Sequence, residues 1–193
     1  MKSLILITVF LSSSLARASW EEDFQLLKDF AVSYEASGTI CEEIARLDMQ
    51  EEYPSPQYSV INGIAYGDEE RVIGELDVVI FDNNLQAVIK IAEVKCWKDP
   101  KAGIEKAHEQ RARFIKAIRT GKPLRFFSTS SEEVFPQSQF QNVKEFFSIA
   151  QKGTSTFGFE RELEYTLLEL KNYRFEMIRC QNQGKCAHPF KRK

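Results

Sequence analysis

The 193-residue chain contains little glycine and proline, 9 and 6 residues respectively, and has no internal repeat or low-complexity tract. These absences exclude collagen-like, intrinsically disordered and repeat proteins. Hydrophobic residues make up 43% of the chain and aromatic residues 12%, which is enough for a well-packed core. The length is typical of one domain of ordinary size. The sequence therefore predicts a globular domain.

No hydrophobic run is long enough to cross a bilayer, including the run at residues 4–11 near the N-terminus. That run follows one lysine and precedes Ala16-Arg17-Ala18, a cleavage pattern of small residues. Together these features are typical of a secretory signal peptide rather than a membrane anchor. We therefore expect residues 1–18 to be removed and residues 19–193 to form one exported domain, extracellular or periplasmic and not bound to a membrane.

Histidine is also scarce. His108 and His188 are the only two in the chain, and no paired CxxC accompanies them, which argues against a zinc site. Neither histidine belongs to a GxSxG or Cys/His signature, so the pattern does not indicate a serine or cysteine hydrolase.

The four cysteines of an exported chain are expected to form disulfides. Four cysteines allow three pairings. Cys180 and Cys186 flank the short polar segment QNQGK and are expected to close a small loop, which leaves Cys41 to pair with Cys96.

The formal net charge is only −2, but the charges are unevenly distributed. Residues 101–125 contain 8 Lys and Arg against 2 Asp and Glu, and residues 171–193 contain 7 against 1. Residues 19–100 are acidic, with 6 against 18. Segregation of this kind is compatible with a surface that meets a polyanion, but also with a solvated helix and a basic C-terminal extension.

Hydrophobic periodicity predicts a helical region, three strands, a helix and a further strand. We expect them at 20–50 with a break at Gly38, then at 58–66, 71–82, 87–97, 101–121 and 124–128. Asp99-Pro100 is a good start for the helix that follows. Beyond these we expect a helix around 139–151, a strand around 154–159 and a final helical segment. The prediction is an α/β fold with an α-βββ-αβ core, in which helices flank a mixed central sheet.

Charged residues interrupt two strands that are otherwise apolar. Glu75 and Asp77 share one face of their strand, as do Glu93 and Lys95 of theirs, because side chains alternate with period two. A hairpin centred on residue 85 places Asp77 opposite Glu93 and Glu75 opposite Lys95. Adjacent carboxylates repel each other unless a cation or proton intervenes, and oxygen ligands suit Mg²⁺ or Mn²⁺. The alternative is an ordinary cross-strand ion pair between Glu75 and Lys95, with the other two carboxylates solvated.

Asp77, followed after fifteen residues by Glu93-Val94-Lys95 in this strand order, resembles the PD-(D/E)XK nuclease superfamily. The segments GELDVV and AEVKCW are similar to those of its RecB-like and resolvase-like members. The resemblance covers roughly residues 38–128, and Leu76 stands where the motif that names the family has proline. It implies a restriction-endonuclease-like core.

The resemblance also implies roles for these residues. Asp77 and Glu93 would bind Mg²⁺ or Mn²⁺, with the main-chain carbonyl of Val94 as a further ligand. Lys95 would position or activate the attacking water.

Further site residues are implied by relatives within the family. Many members add a glutamate from the first core helix. We expect Glu43 here, since it lies beside the apolar stripe of that helix. The alternative is Glu42, which fits a Gly38-x-x-x-Glu spacing seen in some relatives. RecB-like members also carry a glutamine on the helix after the third strand, and Gln110 fits this position, where it would bind a phosphate or orient Lys95.

The same helix carries cations suited to a phosphate backbone. They are Lys106, Arg111, Arg113, Lys116 and Arg119. Trp97 follows the third strand and is a candidate for stacking on a base, although aromatic residues at strand ends often close a core instead.

Taken together, the sequence and the resemblance predict an exported, Mg²⁺-dependent deoxyribonuclease. We expect endonucleolytic cleavage with low sequence specificity, since no additional recognition domain is evident. The expected partners are DNA and, as a candidate protein partner, a cognate inhibitor. The alternatives are an exported nucleic-acid-binding or inhibitory module with the same fold and no turnover, and a phosphodiesterase acting on RNA or small substrates.

Overall fold

The computed structural model describes residues 19–189. The predicted signal peptide at 1–18 and the basic segment Lys191-Arg192-Lys193 lie outside the described residues.

The fold is α/β, with a seven-stranded mixed sheet flanked by helices, as predicted from the sequence. The helices are α1 (Trp20–Leu27), α2 (Thr39–Glu52), α3 (Pro100–Arg119) and α4 (Leu167–Asn182). The strands are β1 (Tyr58–Gly67), β2 (Val72–Asp82), β3 (Ala87–Val94), β4 (Arg125–Ser128), β5 (Val134–Phe135), β6 (Glu145–Ala150) and β7 (Arg161–Glu162). Their order in the sheet is β5-β4-β1-β2-β3-β6-β7.

The predicted three-stranded meander is confirmed, because β1 and β3 both pair antiparallel with β2. The expected β2–β3 register is also confirmed on the side that approaches Asp77, where Val78 pairs with Ala92 and Ile80 with Lys90. Nearer the turn the register shifts by one residue, so that Phe81 pairs with Val88.

Two predictions for the C-terminal half are wrong. The helix expected at 139–151 is a short 3₁₀ helix, Gln137–Phe140, followed by β6. The strand expected at 154–159 is a 3₁₀ helix, Ser155–Phe157. In β6 a nearly continuous apolar segment pairs in parallel with β3, and its residues from 147 to 150 are buried. Strands buried on both faces have no alternating pattern, so a sequence cannot easily distinguish them from a buried helix.

The strand expected at 124–128 exists as β4, but it does not complete the core beside β3. It pairs antiparallel with β1 on the other side of the meander. The position parallel to β3 belongs to β6, which the chain reaches only after α3, β4 and β5. Local sequence specifies that a segment is extended, whereas its neighbour in the sheet depends on long-range packing.

Two hydrophobic layers hold the sheet between the helices. On one face, Ile40 and Ile44 of α2 belong to the same buried cluster as Val78 and Ile80 of β2, together with residues of α4. On the other face, Phe114 of α3 packs in the second cluster, with its ring centroid 5.2 Å from that of Tyr66. Burial of apolar surface on both faces accounts for the continuous apolar runs of the central strands.

The helix start predicted at Asp99-Pro100 is confirmed. The Asp99 side chain accepts hydrogen bonds from the backbone N–H groups of Lys101 and Ala102, and Pro100 is the first residue of α3. This cap fixes the connection between β3 and α3, because it satisfies backbone donors that would otherwise have no partner.

The side chains of β1 and of β2 change from one face of the sheet to the other at adjacent positions of the two strands. Val60 lies on the α2 face of the sheet and Ile64 on the α3 face, although an even spacing should keep them on one side. The same change occurs in β2 between Leu76 and Val78. In the register, the residue between 60 and 64 that faces Asp77 is Gly63, whose φ is +64°. Asp77 therefore lies at a break in the alternation of the strand.

We expect Gly63→Ala to destabilise the protein strongly. A Cβ at this position would overlap Thr129 Oγ1 and lie 3.1 Å from Glu75 Oε1. Gly121→Ala is the matched control, because Gly121 has a φ of +66° and a Cβ added there would have nothing within 4 Å. The control should lose about 1–2 kcal/mol from left-handed backbone strain alone. Urea unfolding followed by circular dichroism should show a larger loss for Gly63→Ala, and equal losses would contradict the steric contribution.

Candidate functional site

Asp77 lies where β2 separates from β3. The last paired residues before this point are Val78 and Ala92. Beyond them, Asp77 Oδ2 accepts a hydrogen bond of 2.8 Å from the backbone N–H of Val94. The backbone N–H of Lys95 instead donates to the carbonyl of Ile149 at the end of β6. The chain after β3 thus stays with β6 while β2 turns away, and the Asp77 carboxylate occupies the opening.

Three oxygen atoms converge on the Lys95 ammonium. Its Nζ lies 2.5 Å from Asp77 Oδ2, 3.5 Å from Glu93 Oε2 and 3.1 Å from the carbonyl oxygen of Val94. Asp77, Glu93 and Lys95 are only 7%, 3% and 8% exposed. The structure therefore brings Asp77 together with Glu93, Val94 and Lys95, the four residues that the resemblance places at the site.

Burial and mutual repulsion shape the protonation of this cluster. Burial, followed by the charge of Asp77, raises the pKa of Glu93 to about 9. Burial by itself lowers the pKa of Lys95, but the carboxylates of Asp77 and Glu93 outweigh it and raise this pKa above its ordinary value. The site therefore holds a buried ammonium next to more carboxylate groups than one positive charge can neutralise.

A further carboxyl reaches the cluster from α2, and it is that of Glu42 rather than Glu43. Burial and then the charges of Asp77 and Glu75 raise the pKa of Glu42 to about 8, whereas Lys95 lowers it. A Cβ added at Gly38 would lie 3.1 Å from Glu42 Oε1. The Gly38-x-x-x-Glu spacing therefore has a physical reason, because the missing side chain leaves room for this carboxylate.

Glu43, the residue expected in the site, has other partners. Its Oε2 lies 2.9 Å from Arg46 Nε, and its Oε1 accepts a hydrogen bond of 3.0 Å from Asn62 Nδ2. Placing Glu43 beside the apolar stripe of α2 was correct, as it is buried. Its carboxylate is neutralised there by Arg46, so it holds α2 against β1 rather than facing Lys95.

A cleft of about 400 Å³ opens beside the carboxylates. It is lined by Glu42 and Glu43 of α2, by Gly63, by Glu75 and by Thr129. Glu75 Oε1 accepts a hydrogen bond of 3.2 Å from Thr129 Oγ1. Burial raises the pKa of Glu75, and the charge of Asp77 adds to this effect. Thr129 was not expected from the sequence, because β4 pairs with β1 only in the folded chain.

Gln110 lies on α3, but none of the hydrogen bonds in residues 19–189 joins it to Lys95. Its side-chain Oε1 is enclosed and has no hydrogen-bond partner among the described residues. Gly103, on the same helix, is the residue that approaches the site, since a Cβ added there would lie 3.5 Å from Lys95 Cβ. Seven residues of helix separate the two positions, which corresponds to about 10 Å along the axis.

The cations predicted on α3 divide into two groups. Lys106 lies 3.2 Å from Glu109, and Arg111 lies 3.3 Å from Glu160, so both have an acidic partner. Arg113, Lys116 and Arg119 are exposed and form no ion pair within the described part of the chain.

A second cleft, of about 510 Å³, adds two basic residues that the sequence analysis did not identify. Arg113 and Lys116 line it together with Arg71, which directly precedes β2, and Lys122, which follows α3. Asp68 is the acidic residue of its lining, and it accepts hydrogen bonds from the backbone N–H groups of Glu70 and Arg71. The folded chain thus gathers four cations from two distant segments.

The cysteines pair as expected, Cys180 with Cys186 and Cys41 with Cys96. Cys41 precedes Glu42, and Cys96 follows Lys95. The second pair therefore joins α2 to the end of β3 through the immediate neighbours of two charged site residues, with 6.3 Å between the two Cα atoms. The two pairs are compatible with export.

The oxygen donors fit a hard divalent cation, although the carboxylates do not form a metal centre by themselves. Within residues 19–189, no three His, Cys, Asp or Glu side chains are arranged to hold a metal ion. The oxygens that converge on Lys95 Nζ are two carboxylates and one carbonyl, a set that suits Mg²⁺ or Mn²⁺ when water completes the coordination. Burial first, and then the Asp77 charge, raise the pKa of Glu93, so this carboxyl favours its protonated form where no further cation is bound.

No helix within residues 19–189 is both long enough and apolar enough to cross a membrane.

Comparison of the chain with protein-family models, with curated proteins and with solved structures finds no match.

We expect Glu42→Gln to stabilise the protein increasingly as the pH rises. A folded-state pKa near 8, against an ordinary value of 4.5, means that the folded protein keeps a proton that the unfolded chain releases. Stability due to this group is therefore lost between about pH 4.5 and 8. A tenfold change in proton affinity corresponds to about 1.4 kcal/mol, so urea unfolding in EDTA at pH 5 and pH 9 should resolve the difference. Glu105→Gln, an exposed control on α3, should show no such trend. A pH-independent effect of Glu42→Gln would contradict the assignment.

We expect loss of the Cys41–Cys96 bond to cost more stability than loss of the Cys180–Cys186 bond. The two bonds join residues 55 and 6 positions apart. Loop-closure entropy assigns about 4 kcal/mol to the longer loop and about 2 kcal/mol to the shorter one. The paired serine variants, Cys41→Ser with Cys96→Ser and Cys180→Ser with Cys186→Ser, can be compared by urea unfolding. Equal or reversed losses would show that the longer bond does not constrain the unfolded chain as inferred.

Proposed function

We propose that this protein is an exported nuclease that uses Mg²⁺ or Mn²⁺ to hydrolyse phosphodiester bonds, with DNA as its preferred substrate. The observation that carries this proposal is the convergence of Asp77, Glu93 and the Val94 carbonyl on the Lys95 ammonium at the point where β2 and β3 separate. A simple surface ion pair would not need two buried carboxylates and a lysine less than a tenth exposed.

The topology supports membership of the PD-(D/E)XK superfamily. In chain order, α2, the meander β1–β2–β3, α3 and β6 give an α-βββ-αβ arrangement with β4 and β5 inserted between α3 and β6, and β6 is parallel to β3. The strand that completes this order is β6 instead of the segment 124–128. With this substitution, the element order agrees with the restriction-endonuclease-like core that the resemblance implies.

Each residue has a distinct proposed role. Asp77 Oδ2, Glu93 Oε2 and the Val94 carbonyl would hold the metal, whose contribution is to polarise the phosphate and lower the pKa of a bound water. Lys95 would place a positive charge next to the phosphate as negative charge develops on it. For the carboxylates to bind a metal, the Lys95 ammonium has to withdraw from between them.

The cations on α3 and in the second cleft would bind the phosphate backbone. Arg113, Lys116, Arg71 and Lys122 line the same cleft, and contacts of this type confer affinity without sequence specificity. They support the low sequence specificity of the proposed nuclease.

We expect Asp77→Asn to abolish cleavage while leaving the fold intact. The test is incubation of the oxidised protein with circular and linear DNA and with RNA, in Mg²⁺, Mn²⁺ or EDTA. The wild type should nick the circle only with metal, and Asp77→Asn should reduce the rate by at least about 100-fold, because it removes a metal ligand. Asp82→Asn, the same change at the other end of β2, should retain activity.

Calorimetric titration gives an independent readout. Mn²⁺ should bind the wild type and Asp82→Asn but not Asp77→Asn. Binding of DNA without cleavage under any metal would overturn the enzymatic proposal in favour of a binding or inhibitory module.

A further inference from the structure

A third cleft, of about 430 Å³, lies on the other side of the α2 N-terminus from the carboxylates. The Cys41–Cys96 disulfide forms part of its lining, together with Ile40 of α2 and Leu170 of α4. The segment that connects β3 to α3 and the exposed side of α4 form its walls. It does not share a residue with the carboxylate cleft or with the basic cleft.

Two large aromatic side chains line this cleft and are partly exposed to solvent. Trp97 is 42% exposed and Phe175 is 56% exposed, and both line it. The backbone at Trp97 is held in place, because its carbonyl accepts a hydrogen bond of 2.9 Å from Gln151 Nε2. The Asp99 cap of α3 follows two residues later. The tryptophan is therefore presented on a fixed segment of the chain and does not close the core.

The charges around these rings are mainly positive. Lys98 and Lys171 are exposed, line the cleft and form no ion pair in the described part of the chain. Arg174 donates to the backbone carbonyls of Tyr34, Glu35 and Ala36, its Cζ lies 5.5 Å from the centroid of the Phe175 ring, and it forms no ion pair within residues 19–189. The acidic residue of the lining, Asp99, accepts from two backbone N–H groups of α3.

We propose that this cleft binds a single-stranded segment of nucleic acid, with a base stacked on Trp97 and Phe175 and phosphates facing Lys98, Lys171 and Arg174. Exposed aromatic rings interleaved with cations are the chemistry by which proteins bind single strands without reading their sequence. In a duplex the faces of the bases are covered by their neighbours, so a paired strand cannot make this contact. The inference deepens the proposed nuclease function and rests on it for its biological meaning.

The position of the cleft relates it to the carboxylate cluster. Trp97 is two residues beyond Lys95, so their Cα atoms are at most about 7 Å apart. A base stacked on Trp97 would therefore belong to a nucleotide within a few positions of the phosphate at the proposed metal site, on the other side of the α2 N-terminus. The substrate class that fits best is single-stranded nucleic acid, or a duplex with an unpaired stretch at the cleavage point.

The test measures binding without turnover. Full-length oxidised protein carrying Asp77→Asn is titrated in EDTA against fluorescently labelled oligo-dT, oligo-rU and a blunt duplex, with anisotropy as the readout. We expect single strands to bind more tightly than the duplex. Comparison of oligo-dT with oligo-rU shows whether single-stranded DNA or RNA is preferred. Tryptophan fluorescence should be quenched by the single strands.

The variants separate stacking from general affinity. Trp97→Ala should weaken binding of single strands about 5- to 150-fold, the range expected for one stacked base, whereas Trp97→Phe should retain most of it. Leu85→Ala, which removes an exposed apolar side chain in the β2–β3 turn, is the control and should have no effect. Lys171→Ala should reduce the salt dependence of binding, unlike Lys185→Ala. Circular dichroism confirms that each variant is folded.

The inference is overturned if Trp97→Ala and Leu85→Ala bind single strands equally well, or if the duplex binds more tightly and is insensitive to Trp97. Its failure is distinguishable from failure of the nuclease proposal. Binding that depends on Trp97 in a protein that never cleaves would overturn the nuclease proposal alone. Metal-dependent cleavage that is indifferent to Trp97 would overturn the stacking cleft alone.

Discussion

The Lys95 ammonium lies between two buried carboxylates, and the surrounding structure depends on this contact. Asp77 and Glu93 come from neighbouring strands, and both are buried, so that without an intervening cation or proton their charges would repel each other. The ammonium allows β2 and β3 to stay adjacent up to Val78 and Ala92. It also marks the point at which a divalent cation would find the same three oxygens.

This contact forms where the regular backbone pairing of β2 with β3 ends. Gly63 allows β1 to rotate beside Asp77, and Val94 hydrogen-bonds to the Asp77 side chain rather than to the backbone of β2. The chain beyond β3 remains attached to β6 through the N–H of Lys95. Hydrophobic clusters pack on both sides of the sheet, so the opening at the site lies within the packed part of the fold.

The surroundings of the site indicate how a polyanionic substrate would be bound. In the proposed function, the cations of the basic cleft would contact phosphates, and the aromatic rings near the Cys41–Cys96 bond would stack on a base. Neither type of contact reads sequence. The disulfide joins the segments that carry Glu42, Lys95 and Trp97, so one covalent bond fixes the geometry of the acidic cluster and of the adjacent aromatic surface.

The sequence by itself determined the meander, the start of α3, both disulfide pairs and the β2–β3 register as far as Val78 and Ala92. These follow from local signals: period-two alternation, an Asp-Pro helix start and a hairpin register counted from its turn. Only the tertiary structure decided that β6 lies beside β3, that Glu42 instead of Glu43 approaches Lys95, and that Arg71 and Lys122 join the cations of α3. Each of these depends on which distant segments pack together, and on a backbone rotation at Gly63 and Asp77 that breaks the alternation from which facing residues are counted.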